Sequence, residues 1–117
     1  MGDIGLPMAK NVVKKGFHTT VCGHVRREPV EEMKKLGALE VKTPREVGEN
    51  SDAVIIMVQN DKQAEDVIFG KDGLLEGLKG GSGIILMGTF APAFCRRVAE
   101  AGKPKGIDVL DAPVVGA

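Results

Sequence analysis

The sequence predicts an α/β protein in which short parallel strands alternate with helices in a doubly wound sheet, and three observations support this prediction. Residues 2–16 form a glycine turn that runs directly into an amphipathic helix. Residues 53–58, Ala-Val-Ile-Ile-Met-Val, are apolar without alternation, which is typical of a parallel strand covered by helices on both faces. Strand-like and helix-like segments alternate through the rest of the chain, as the doubly wound architecture requires.

The first helix is predicted from its apolar spacing and from the residues at its two ends. Ile4, Met8 and Val12 recur at helical spacing and share one face. Pro7 falls in the first turn, where backbone N–H groups have no intrahelical partner to lose, and Gly16 suits the left-handed cap. The helix is therefore expected to begin at the glycine turn and to end at residue 16.

The remaining elements follow from the same kinds of signal. Runs of β-branched and apolar residues predict strands, and apolar residues at helical spacing predict helices. Thr43-Pro44-Arg45-Glu46 has the form of a capping box with proline at the first helical position. The predicted strands are 17–22, 38–41, 53–58, 84–87 and 107–110, and the predicted helices after the first are 28–36, 44–50, 61–69, 74–78 and 92–101.

Composition excludes several classes of function. The 16 basic and 16 acidic residues of the 117-residue chain cancel, and its only aromatic residues are four phenylalanines, so no nucleic-acid partner is predicted. The longest apolar run is too short to cross a bilayer, and the N-terminus has no secretion signal. Cys22 and Cys95 have neither metal-site nor disulfide spacing. These features predict a single cytoplasmic domain with no metal site and no membrane partner.

The glycine turn is a candidate phosphate cradle. Gly2 and Gly5 have the spacing of the last two glycines of G-x-G-x-x-G. The candidate cofactor-binding residues of the turn are Gly2, Asp3, Ile4 and Gly5. The alternative is an ordinary capped surface helix. Because the motif also needs a strand and a first glycine ahead of the turn, we expect the sheet to be incomplete at the N-terminus.

Five segments along the chain carry motifs in a fixed order. Residues 2–11 are similar to a glycine turn with M-G-x-P-M-A-x-N, and residues 51–58 are similar to S-D-x-V-I-x-M-x. Residues 67–70 with 72–75 are similar to a helix end and the turn after it. Residues 88–92 are similar to S-T-x-x-P, and residues 111–116 are similar to D-A-P-V-S-G. Together they resemble the β-hydroxyacid dehydrogenase family, the group of 3-hydroxyisobutyrate and tartronate semialdehyde dehydrogenases. The resemblance covers nearly the whole chain.

The resemblance implies a Rossmann-type domain, residues 1–117, that holds NAD or NADP. In the family a helical domain follows and carries a catalytic lysine. No residue of this chain matches that lysine, so no catalytic residue is predicted, and the chain alone is expected to be a truncated, inactive domain. The residues implied to contact the nicotinamide half of the cofactor are Val58, Gln59, Gln63 and Thr89. The residues implied to bind the substrate are Val115 and Gly116.

The predicted cofactor is NADP, with NAD as the alternative, because of the loop after residue 22. The acidic residue that binds the ribose 2′-hydroxyl of NAD is expected about 20 residues past the glycine turn. Gly23 occupies that place, and no carboxylate occurs between Gly23 and Glu28. Arg26 and Arg27 follow instead, and arginine can bind a 2′-phosphate with two hydrogen bonds. The alternative is that both arginines are solvated loop charges.

Two functions stay open from the sequence. The first is the NADP(H)-binding domain of an oxidoreductase that transfers a hydride between the nicotinamide and a small 3-hydroxyacid substrate, and a homo-oligomer is compatible with it. The second is a non-catalytic remnant that binds nucleotide weakly or serves only as an interaction partner. The second is favoured by the absent first strand and lysine region, and by Gly88 and Val115, which stand where the family has serines.

Overall fold

A computed structural model of the chain describes residues 5–22, 28–56, 58, 61–88 and 90–112. The helices are α1 (Gly5–Lys14), α2 (Glu28–Lys35), α3 (Pro44–Glu49), α4 (Asp61–Phe69), α5 (Leu74–Gly77) and α6 (Pro92–Gly102). The strands are β1 (Thr20–Cys22), β2 (Leu39–Val41), β3 (Ala53–Ile56), β4 (Gly83–Leu86) and β5 (Asp108–Asp111). The elements occur in the predicted order, which confirms the α/β class.

The strands pair in parallel in two sheets. β1 pairs with β2, and β4 lies between β3 and β5. Val54 is opposite Ile84, and Ile56 is opposite Leu86, which is in turn opposite Asp111. Because β3, β4 and β5 run in one direction, their carboxyl ends lie at a single edge of the larger sheet. This edge is where doubly wound sheets bind ligands.

The first strand, β1, is shorter than the predicted 17–22 because residues 16 and 17 form the C-terminal cap of α1. Gly16 has a φ of 90°, its N–H bonds the Val13 carbonyl at 2.9 Å, and the Phe17 N–H bonds the Val12 carbonyl at 3.4 Å. These bonds form the left-handed helix cap that the glycine predicts. Phe17 is 65% exposed, and β1 begins only at Thr20.

Helices α4, α5 and α6 cover one face of the β3-β4-β5 sheet. The buried residues of this core include Val54, Ile56, Ile84, Leu86, Ala64, Ile68, Leu74, Phe94 and Val98. The expectation that residues 53–58 are buried on both faces is wrong for β3. Ile55 is 47% exposed, and Leu110, in the same row across the sheet, is 58% exposed. The alternation of burial is hidden in the sequence because the exposed positions are also apolar.

The smaller sheet holds α1 and α2 through a second apolar cluster. Val21 of β1 packs with Val30 and Met33 of α2, and Ala9 and Val13 of α1 pack against them. An ion pair between Lys10 and Glu32, 2.7 Å from Nζ to Oε2, also joins the two helices. The hydrogen bond from the Lys10 ammonium, together with its charge, lowers the pKa of the Glu32 carboxyl. Helix α1, which begins at the candidate phosphate turn, is thus fixed to its neighbour.

Helices α3 and α5 approach each other closely at Gly77. The Thr43 hydroxyl accepts a hydrogen bond from the Glu46 N–H at 3.3 Å, which confirms the predicted cap of α3. The Arg45 N–H donates to the Asp72 carbonyl at 2.9 Å, so the first turn of α3 is fixed at a second point. A Cβ placed on Gly77 would lie 2.0 Å from the Arg45 carbonyl oxygen. Only a residue without a side chain fits there.

Candidate cofactor site at the ends of the strands

The structure describes three of the candidate site residues. Gly5 is the first residue of α1, Val58 follows β3, and Gln63 lies half-buried in the first turn of α4. The candidate residues outside the described ranges are Gly2, Asp3, Ile4, Arg26, Arg27, Gln59, Thr89, Val115 and Gly116. In the sequence, most of these residues come within five positions after the end of β1, β3, β4 or β5.

The backbone ladder continues past the strand ends and brings the loops that follow them together. The Met87 N–H donates to the Ile56 carbonyl at 3.0 Å, and the Ala112 N–H donates to the Leu86 carbonyl at 2.8 Å. A Cβ on Gly88 would lie 3.1 Å from the carbonyl oxygen of Val58, so the loops after β3 and β4 touch at these residues. The resemblance assigns nicotinamide contacts to the same two loops.

The ring of Phe90 occupies the space that a side chain at position 88, where the resembling family has a serine, would need. A Cβ on Gly88 would lie 2.7 Å from Cζ of Phe90 and 3.1 Å from its Cε2. The ring also packs on Phe94, with 5.7 Å between ring centroids, and on the core beneath it. It cannot turn away from a new side chain without losing that packing. Gly88 and Phe90 therefore act as a pair, one giving the space that the other fills.

This pairing predicts a non-additive response to mutation. We expect Gly88→Ser to lower the free energy of unfolding by about 1–3 kcal/mol, the usual cost of overpacking. In a Phe90→Ala background the same serine should cost less, because the ring that blocks it is gone. Urea unfolding of the four proteins of this double-mutant cycle measures the difference. Additive costs would contradict the pairing.

The carboxylate of Asp61 links the start of α4 to the start of α6. Both carboxylate oxygens of Asp61 lie 3.4 Å from the backbone nitrogen of Ala91, which donates its N–H to them. Cys95 is buried near Asp111, whose negative charge raises the pKa of the thiol. Sequence reasoning missed the link from Asp61 to Ala91. No sequence signal joins positions as distant as 61 and 91.

Neither thiol is activated as a nucleophile. Burial raises the pKa of the Cys95 thiol, and the charges of Asp111 and Asp61 raise it further. Burial also raises the pKa of Cys22, with smaller contributions from Glu46 and Glu40. Reactive cysteines have lowered pKa values, so both stay protonated at neutral pH. Within the described ranges, no three His, Cys, Asp or Glu side chains are placed to hold a metal ion, and no helix is long and apolar enough to cross a membrane.

Relatives of this chain are oxidoreductases that are longer than it is. The 2-hydroxy-3-oxopropionate reductase of Escherichia coli is 38% identical over 118 residues, covering 99% of this chain and 39% of the relative. The mitochondrial 3-hydroxyisobutyrate dehydrogenase of Mus musculus is 33% identical over 116 residues, covering 99% and 34%. The crystal structure of 3-hydroxyisobutyrate dehydrogenase from Salmonella typhimurium superposes with a TM-score of 0.89 at 27% identity, covering 99% and 40%.

The superposition confirms a Rossmann-like fold, and the relatives confirm the resemblance to the β-hydroxyacid dehydrogenases. The chain spans well under half the length of these relatives. All of it, residues 1–117, matches one family of NAD(P)-binding domains. The chain therefore belongs to the family described as the NAD binding domain of 6-phosphogluconate dehydrogenase.

Proposed function

We propose that this chain is the NADP(H)-binding domain of an oxidoreductase that transfers a hydride between the nicotinamide and a small 3-hydroxyacid. The observation that carries the proposal is the contact of the loops after β3 and β4 at Val58 and Gly88, at the edge where doubly wound sheets bind ligands. The substrate class is supported by the names of the relatives, which specify 2-hydroxy-3-oxopropionate and 3-hydroxyisobutyrate. NADP(H) would supply the hydride chemistry when bound.

The residues of the chain would bind and orient the cofactor. The first turn of α1, which starts at Gly5, contains no acidic residue, so the positive end of that helix suits a pyrophosphate. Residues 2–5 would hold the pyrophosphate with backbone N–H groups. We assign the nicotinamide half to Val58, Gln59, Gln63 and Thr89, and one wall of the substrate pocket to Val115 and Gly116. A helical domain outside residues 1–117 would supply the lysine that moves the proton.

Arg26 and Arg27 are proposed to choose NADP over NAD by pairing with the 2′-phosphate. Replacing both with alanine should cost about 1.5–3 kcal/mol of NADPH affinity, the range for hydrogen bonds to charged groups. NADH affinity should stay the same, because NADH lacks that phosphate. Isothermal titration of the 117-residue chain with both cofactors measures this. Arg96→Ala, which removes one arginine from the exposed side of α6, is a control for the general effect of losing positive charge.

The titration also separates the proposed function from its rival. A non-catalytic remnant would bind both cofactors weakly and without preference, and the double alanine variant would change nothing. Equal or tighter binding of NADH by the unmodified chain would contradict the NADP assignment alone. Glycine in place of the family's serine at position 88 is weaker support for a non-catalytic remnant once Phe90 is considered, because the Phe90 ring occupies the space of the missing side chain.

A further inference from the structure

Helix α6, which follows the loop after β4, is capped by a side chain from helix α4. Ala91 is the N-cap of α6 and has no side-chain oxygen with which to cap it. The Ala91 N–H instead donates to the carboxylate of Asp61, which is the first residue of α4. In a capping box a carboxylate three residues into the same helix bonds this N–H. Asp61 takes that role from 30 positions earlier in the chain.

This bond joins the two loops that are assigned to the nicotinamide. Asp61 directly follows residues 58–60 after β3, and Ala91 closes residues 88–90 after β4. A carboxylate next to the N-terminus of α6 also has a favourable interaction with the dipole of that helix. We propose that Asp61 is a positioning residue that fixes the β3 loop against the β4 loop and so shapes the nicotinamide half of the cofactor site. The inference rests on the function proposed above.

The end of β5 lies near the same place. Cys95, one turn into α6, is buried in the core against which Val109 of β5 packs, and the charge of Asp111, the last residue of β5, raises the pKa of its thiol. The Asp61 carboxylate is near enough to raise the pKa of that thiol as well. The start of α6 is thus held to the loop after β3 by the bond from Ala91 to Asp61, and it packs on β5 through the core that contains Cys95. Loss of the Asp61 carboxylate should free the β3 loop while the packing on β5 persists.

The adenosine half of the cofactor is assigned to other residues, which gives the test its selectivity. The glycine turn and Arg26 with Arg27 would hold the pyrophosphate and the 2′-phosphate. A defect confined to the β3 and β4 loops should therefore weaken a ligand that carries nicotinamide and leave a ligand without it unchanged. The probes are NADPH and 2′-phospho-ADP-ribose, which lacks the nicotinamide ring.

Asp61→Ala should weaken NADPH binding to the 117-residue chain about tenfold, as expected for one hydrogen bond to a charged group, and leave 2′-phospho-ADP-ribose binding within about twofold. Asp61→Asn keeps an acceptor oxygen and should restore most of the NADPH affinity. Asp66→Ala removes an exposed carboxylate from the same helix and should change neither ligand. Equal losses for both ligands, or no loss, would overturn the inference.

A second measurement does not depend on cofactor binding. Amide hydrogen exchange of Ala91, followed by NMR, should be faster in Asp61→Ala and return toward the original rate in Asp61→Asn. Asp66→Ala should leave it unchanged. If neither the unmodified chain nor the chain extended ahead of Gly2 by a short apolar strand ending in G-x binds either ligand, the proposed function fails and this inference with it. If either chain binds both ligands but Ala91 exchanges at the same rate in all variants, only the Asp61 inference is wrong.

Discussion

Gly77→Ala is expected to lower the free energy of unfolding by about 3 kcal/mol or more, at the upper end of overpacking costs. The new Cβ would lie 2.0 Å from the Arg45 carbonyl oxygen and 2.8 Å from its carbonyl carbon. Both atoms are backbone, so no change of rotamer relieves the clash. The first turn of α3 is held by the Thr43 cap and by the bond from Arg45 to Asp72, so α3 cannot easily move away.

Gly83→Ala is the matched control for this prediction. A Cβ on Gly83 would have its nearest neighbour, the Asp108 carbonyl oxygen, at 3.8 Å, which is ordinary contact. This variant should change the free energy of unfolding by less than about 1 kcal/mol, because Gly→Ala without strain is neutral or mildly stabilising. Urea unfolding followed by circular dichroism compares the three proteins. Similar midpoints for Gly77→Ala and Gly83→Ala would mean that α3 and α5 can separate at little cost.

The order of the elements could be predicted because it depends on local patterns. The Thr43 cap of α3 and the Gly16 cap of α1 specify helix ends through the residues next to them, and both caps occur as predicted. The exposed face of β3 could not be predicted in this way. Ile55 and Val54 are equally apolar, and only the packing of helices on one face makes Val54 buried and Ile55 exposed.

The candidate site also has residues that the sequence could indicate and contacts that it could not. Motif spacing proposes Gly5, Val58 and Gln63 as cofactor contacts, because the resembling family places its contacts at fixed distances from strand ends, and these roles stay predictions. The links that hold the loops could not be selected. Asp61 meets Ala91, and Gly88 makes room for Phe90, only after β3 and β4 have paired and α6 has packed on them. Such contacts depend on tertiary structure, which a single sequence does not display.

The two sheets themselves lead to a prediction about stability. In the described residues β1 pairs only with β2, and β3 pairs only with β4. The doubly wound order 3-2-1-4-5-6 places the strand that precedes the glycine turn between the strands that correspond to β1 and β3 here. Among the described residues no strand lies at that place, so the facing edges of β1 and β3 have no sheet partner there, and such edges favour association between chains. We therefore expect the 117-residue chain to be marginally stable or to associate.

An extension ahead of Gly2 by a short apolar strand ending in G-x should raise the melting temperature by about 10 °C, since each kcal/mol shifts a domain of this size by several degrees. The new strand would bond β1 and β3 and give α1 more apolar surface to cover. The same extension with proline at its central position is the control, because proline lacks an N–H and cannot complete the ladder. Calorimetry measures the melting temperatures, and gel filtration measures association. A monomeric unmodified chain that melts sharply above about 60 °C, high for a mesophilic domain, would show that the two sheets need no strand between them.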